Sequence, residues 1–125
     1  MEAFEDTEQL SRYILSESQF SKTKSRVKYS AFMPASDGKT SVFRIYNLTE
    51  NEIWEIGENE VAQKRDKALL ARADIKASHI LKTGLSIIPD DSPPRHANID
   101  NWPSEKERQR LIALELAEES SLFLK

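Results

Sequence analysis

The sequence has no cysteine, two histidines and three glycines in 125 residues, and each scarcity removes a class of chemistry. Without cysteine there are no disulfides, no thiolate nucleophile and no cysteine-ligated zinc or iron–sulfur site. With two histidines, a transition-metal site would have to be completed by carboxylates, so no metal and no cofactor is expected. Three glycines supply no Gly-rich phosphate loop, and GxSxG elbows, HExxH, EF-hand loops and zinc spacings do not occur. No apolar run approaches the roughly 20 residues that cross a bilayer, so no membrane partner is expected. The opening MEAFEDTEQL is acidic and polar, unlike a secretory or transit leader, and a cytoplasmic location is the expectation.

What the chain has in quantity is charge. Charged residues make up 31% and hydrophobic ones 38%, with 21 acidic against 18 basic side chains and a net charge of -3. The length suits one domain, 1–125, burying roughly two-thirds of the surface of the unfolded chain, with residues 1–25 loosely docked. The net negative charge weakly repels nucleic acid, so any binding of that kind needs a local basic patch.

The most regular stretch is 61–83, VAQKRDKALLARADIKASHILKT, which lacks Gly and Pro and stops at Gly84. Ala62, Leu69, Leu70, Ala73, Ala77, Ile80 and Leu81 share one arc of a helical wheel, while Arg65, Arg72, Lys76 and His79 stack along its flank. The spacing predicts a long central helix with a buried face and a basic stripe. A break near Arg65, or a strand over 67–71, competes with it because Asp66 falls within the apolar arc.

Residues 6–15 read as a short helix capped by Asp6 or Thr7, with Leu10, Tyr13 and Ile14 on one face. A loop carrying Lys22, Lys24, Arg26 and Lys28 follows, and the alternation in VKYSAFM (27–33) predicts a strand. Asp37-Gly38 marks a turn into a second strand, TSVFRIY (40–46), completing an antiparallel hairpin with a long loop. Thr49 and Glu52 have capping-box spacing for a short helix that ends before Gly57 and buries Ile53, Trp54 and Ile56. Short strands are expected near 85–88 and 95–99, and Ser104 with Glu107 opens a last helix over about 104–122. The fold class is therefore α+β, a small antiparallel or mixed sheet packed by a long central helix and a C-terminal helix.

The polar segment DDSPPRHANIDNW (90–102) offers the best candidate chemistry. In an extended segment His96, Asn98 and Asp100 project to one side, and Arg95, Ala97 and Ile99 to the other. His96, with Asn98 beside it, is then a candidate general acid or base, with Arg95 or Arg72 holding an anionic group and a nearby carboxylate fixing the tautomer. The competing reading gives His96, Asn98 and Asp91 the task of satisfying the backbone of an irregular, Pro-flanked segment. The stripe of Arg65, Arg72, Lys76 and His79 could contact phosphates, although such charge lines are usually solvated and His79 suits a helix C-terminus as a mere surface residue. In the last helix Ile112, Leu114 and Leu116, with Ala113 and Ala117, widen the apolar arc to about half the circumference, which touches either two neighbouring elements or a partner or second copy as well as the sheet.

Three segments, KYSAFMPASDGKTSVFRIYNLTENEIWEIG, RADIKAS and PPRHANIDNWP, resemble ones in small uncharacterised bacterial proteins associated with mobile genetic elements, sharing an RHANI-x-x-WP pattern. The resemblance spans most of residues 26–116; it implies an accessory or defence-type role in bacteria and no particular activity. Three functional readings follow. The first is a non-enzymatic accessory or protein-interaction module. The second is a small enzyme acting on a phosphorylated substrate, nucleotide or nucleic acid, with His96 as acid or base. The third is a nucleic-acid-binding module using the basic stripe.

Overall fold

A computed structural model of the chain describes residues 4–125. The fold is α+β. Strands β1 (Gln9–Ile14), β4 (Thr40–Arg44), β5 (Ala71–Lys76), β6 (Ser86–Pro89), β7 (His96–Asp100) and β8 (Ser121–Leu124) form one sheet in the order β6-β7-β4-β1-β5-β8. Every neighbouring pair in it is antiparallel. Strands β2 (Phe20–Ser21) and β3 (Arg26–Val27) make a separate two-stranded ribbon.

The N-terminal segment is not a helix but one of the sheet's two central strands. Leu10 and Ile14 are fully buried in the larger core, and Tyr13 lies in the smaller one. A strand covered on both faces has no polar face, so the spacing of Leu10, Tyr13 and Ile14 fits a helical wheel equally well. The segment expected to be loosely docked thus has strands on both of its edges.

The long helix expected over 61–83 divides into four pieces. Helix α1 (Glu50–Ile56) carries the expected capping box, with Thr49 and Glu52 exchanging bonds of 2.9 and 3.2 Å. It continues through a π-helical segment, Gly57–Ala62, into the single turn α2 (Gln63–Arg65). Asp66 is left-handed, with φ 52°, and ends the helix. That is the competing break, one residue after Arg65. Beyond it the alanine-rich ARADIK is β5, and only Ala77–Leu81 returns to helix as α3. Helix-favouring composition loses here to pairing on both sides of β5, since tertiary context overrides propensities of under 1 kcal/mol per residue.

The expected strand 27–33 survives only as Arg26–Val27, followed by a 3-10 turn at Tyr29–Ala31. Ala31 and Phe32 are adjacent and both fully buried, which a strand exposed on one face cannot provide. β4 therefore pairs with β1 and β7, not with 27–33. The Asp37-Gly38 turn forms as expected, with Gly38 at φ 80° and Asp37 accepting from the Lys39 amide. Strands 86–89 and 96–100 fall within a residue of the expected positions. The last helix, α4 (Lys106–Glu119), starts after Glu105 with no side-chain cap, and the chain then forms edge strand β8.

Two apolar clusters sandwich the sheet. On one face Leu10, Ile14, Val42, Ala73, Ile75 and Ile99 pack with Ala113, Leu116 and Ala117 of α4 and with Phe32. On the other Tyr13, Phe43 and Ile45 pack with Ile53, Ala62 and Leu69. Trp54, expected in the core, is half-buried at the edge of that second cluster. The junction between α1 and the π segment lies against β1 at Gly57, where an added Cβ would stand 2.6 Å from Tyr13 Cδ1 and 2.8 Å from Leu69 Cδ2.

The Tyr13 ring cannot yield easily, because its hydroxyl donates to the Ile53 carbonyl and its face meets Phe43. Gly57→Ala is accordingly expected to destabilise the fold by about 1–3 kcal/mol despite the better helix propensity of alanine. Urea unfolding measures this, and an unchanged midpoint would contradict the close packing.

Candidate active site

The register shows how residues distant in sequence meet. Residues directly opposed across antiparallel strands share a face, so His96, Phe43, Ser11 and Asp74 form one row. Ser41 and Asn98 form the next row out on the same side. β1 pairs with β4 only at Leu10 and Ser11, while its pairing with β5 continues to Ile14. β1 and β4 therefore part beyond Ser11. In the opening, the Ser41 carbonyl accepts 2.9 Å from Arg12 Nη1 in place of a strand amide, and Arg12 Nε donates 2.8 Å to the Ala31 carbonyl.

His96 lies at this opening. Its Nε2 is 2.6 Å from Ser41 Oγ and its Nδ1 is 2.6 Å from Asp90 Oδ1, while Asn98 Nδ2 donates to Asp90 Oδ2 at 3.3 Å. The imidazole ring meets the edge of Phe43 at 5.2 Å. Partial burial favours protonation of Asp90, but hydrogen bonds from His96, the Ser92 amide and Asn98 outweigh it and hold the carboxyl below its usual range. An ionised carboxylate can only accept, so Nδ1 of neutral His96 carries the proton and Nε2 is left to accept from the Ser41 hydroxyl. The result is an Asp90–His96–Ser41 relay. It borders a cleft of about 240 Å³ lined by Arg12, Tyr13, Ser41, Phe43 and His96 from the sheet, Glu60, Val61, Lys64 and Arg65 from the helical arm, and Pro93.

The expected partnership of His96 with Arg72 does not form. Arg72 is on β5, three strand spacings or roughly 14 Å from β7, and the rings of Tyr13 and Phe43 stand between them. Arg72 instead borders a second cleft of about 690 Å³. Its guanidinium is 1% exposed, held by Glu50 at 2.9 and 3.0 Å and Asp74 at 3.2 Å, and covered by the Trp54 and Phe123 rings at 4.7 and 4.5 Å. Burial opposes the charge on both Arg72 and Asp74. For Arg72 the carboxylates more than offset it, so its pKa rises; for Asp74 burial wins and its pKa also rises.

Arg95 is also turned to another use. Left-handed at φ 72°, it donates to the carbonyls of Arg44 and Tyr46 and stacks on the Tyr46 ring, which secures the loop after β4. Asn98 does join the His96 constellation, through Asp90. The basic stripe is dismantled with the long helix: Arg65 is on α2, Arg72 is buried in β5, Lys76 ends β5, and His79 is on α3 with Nδ1 3.3 Å from Glu119 Oε2. On α4, Leu116 is core, Ile112 is half-buried and Leu114 is exposed. Among the described residues no group of three His, Asp or Glu is placed to hold a metal ion. No helix among them is long and apolar enough to cross a membrane.

Ser41, Asp90 and Arg12 were not singled out from sequence. Asp90 stands six residues before His96, in the DDSPP turn, and the alternation that put His96 and Asn98 on one face was the available hint. Ser41 and Arg12 enter through strand pairing over 55 and 29 residues of sequence, which no local pattern encodes.

The buried Arg72 pair makes a direct prediction. Arg72→Met leaves Asp74 buried without its cation and is expected to cost about 3–5 kcal/mol, whereas Arg72→Met with Asp74→Leu recovers most of that loss. Urea unfolding of the two variants tests this, and equal losses in both would contradict it. Comparison of the chain with family models, curated proteins and solved structures yields no match in any of the three.

Proposed function

We propose that the protein is a small hydrolase or transferase in which Ser41 is the nucleophile and His96 its general base. The observation that carries this reading is the Asp90–His96–Ser41 relay, with both bonds at 2.6 Å. Ser41 Oγ passes its proton to His96 Nε2 as it bonds to the electrophilic carbon or phosphorus of an ester. The bond from that atom to the alcohol oxygen breaks, and the departing oxygen takes the proton from His96. Water or an acceptor alcohol then gives its proton to His96 and adds, and Ser41 leaves with that proton. Asp90 keeps the imidazole in the required tautomer and stabilises its cation, the role an orienting carboxylate has in such triads.

Fluorophosphonate labelling and hydrolysis of p-nitrophenyl esters and phosphates test this reading. Wild type is expected to be labelled at Ser41 and to turn over at least one of these substrates. Ser41→Ala and His96→Ala, checked for intact folding by thermal unfolding, are expected to lower the rate at least about 100-fold. Equal labelling of Ser41→Ala, or none of the wild type, would sink the assignment.

The reading as a non-enzymatic interaction module draws on a different observation, while its accessory role in a bacterial mobile-element or defence-type system rests on the resemblance of residues 26–116 alone. Leu111 and Leu114 on α4 are 64% and 44% exposed, and Phe123 and Leu124 are exposed on edge strand β8. Exposed apolar side chains on a helix face and an open edge strand each suit self-association. Sedimentation velocity should then show a concentration-dependent dimer that Leu111→Glu with Leu114→Glu reduces to monomer; a wild type that is monomeric at every concentration would remove this reading.

A further inference from the structure

We infer that Arg12 and Arg65 form an anion-binding subsite beside Ser41 that receives the phosphoryl group of a phosphorylated substrate. This deepens the nucleophile reading and rests on it. The buried arginines Arg44 and Arg72 are each answered by carboxylates, Glu8 in one case and Glu50 with Asp74 in the other. Arg12 and Arg65 differ. Among the described residues neither has a carboxylate within ion-pair distance, and both border the same two adjoining clefts, of about 240 and 110 Å³.

Arg12 has five N–H donors. Two are spent on the Ala31 and Ser41 carbonyls, leaving three with no acceptor among the described residues. Burial and then the neighbouring Arg65 charge push its pKa down to about 10, so it remains a cation at neutral pH. Glu60 borders the larger cleft but is held by Lys64 at 2.8 Å. Lys64 thereby balances Glu60 at that cleft, and Lys67 adds positive charge at the smaller one.

Two guanidiniums brought together without a carboxylate repel each other, and an anion with several oxygens offsets that repulsion while taking up free N–H groups. A phosphoryl dianion matches this better than a carboxylate, having more oxygens and more charge to share between two planar forks. Arg12 and Arg65 border the same cleft as Ser41 and His96, so an anion held between the two cations lies in the cleft that the nucleophile borders. Arg65 reaches the same place because the π segment and α2 run across the opening between β1 and β4.

Calorimetric titration of the full chain carrying Ser41→Ala, which cannot turn over, reads binding apart from catalysis. Phenyl phosphate is the probe and phenylacetate the carboxylate comparison. The expected result is binding of phenyl phosphate that weakens with added salt, exceeds that of phenylacetate, and falls at least about tenfold on adding Arg65→Ala. Arg65 is exposed on a single helical turn, so this variant is expected to fold, which its thermal transition verifies. Affinity unchanged by Arg65→Ala, or phenylacetate bound as tightly as phenyl phosphate, would overturn the subsite. Arg65-dependent binding in a protein whose wild type resists fluorophosphonate upholds the subsite while removing the nucleophile. Labelling at Ser41 with no Arg65 dependence does the reverse.

Discussion

The pairing of Gln9–Ile14 on both edges, with apolar clusters on both faces, is the constraint from which the positions of the other functional groups follow. Buried this way, the strand must dispose of Ser11, Arg12 and Tyr13 inside the molecule, and each solution shapes its surroundings. Tyr13 bonds the Ile53 carbonyl and anchors α1. Burial also raises the pKa of its phenol, so it stays neutral there. Ser11 stands directly opposite Asp74, and its interaction with that carboxyl lowers the Asp74 pKa against the effect of burial. Arg12 cannot enter either apolar cluster without a partner, and it finds carbonyls at the place where β1 and β4 separate. The candidate cleft is thus a consequence of a charged residue in a central strand.

A chain this rich in charge buries several ions, and two of its arginines share one arrangement. Arg72 and Arg44 are neutralised by carboxylates and flanked by aromatic rings. Such pairs specify geometry more than they stabilise, because desolvation consumes much of the Coulomb gain. The pH response has opposing parts. Asp74, whose folded pKa is raised, binds protons more readily folded than unfolded, so its contribution to stability falls as pH rises from its ordinary value through the folded one. Asp90 and Glu52, with lowered values, contribute stability that is full above their ordinary pKa and is lost as pH falls through the folded one. The relay carboxylate Asp90 and the buried Asp74 therefore respond in opposite directions to acid.

Much of the topology was hidden from the sequence for one reason. Where a strand is covered on both faces it loses the alternation that identifies it, and Gln9–Ile14 and Ala71–Lys76 are both of this kind. The alanines of β5 then favour a helical reading, although Arg72 and Asp74, two apart and 3.2 Å from each other, are spaced as strand neighbours and not as helix neighbours. Elements with one wet face were legible: β7 alternates buried Ala97 and Ile99 with half-buried His96 and Asn98, and the Thr49 capping box set the start of α1 to the residue. For the site, His96 and Asn98 were legible because they lie on such a strand. Ser41 and Arg12 were not, since their contacts depend on which strands adjoin.

The separation of β1 from β4 also limits what chemistry the cleft can serve. Ser41 is the second residue of β4 and paired with Asn98, so its hydroxyl is offered from the sheet and not from a sharp turn, and the proposed reaction requires a substrate to approach through the opening that Arg12 and the helical arm define. The arm is fixed at one end by the close approach of Gly57 to Tyr13 and at the other by the left-handed turn at Asp66. Between these points the π segment sets the phase at which Val61, Lys64 and Arg65 meet the cleft, because each π turn displaces the following residues relative to α-helical winding. Regular α-helix through 57–62 would carry the same side chains to other angles around the axis. An irregular helix, a split sheet and an arginine in a central strand are individually unfavourable, and all three converge on Ser41 and His96. Departures from local regularity gathered at one point in this way are where function is expected in a fold that is otherwise consistent with its sequence.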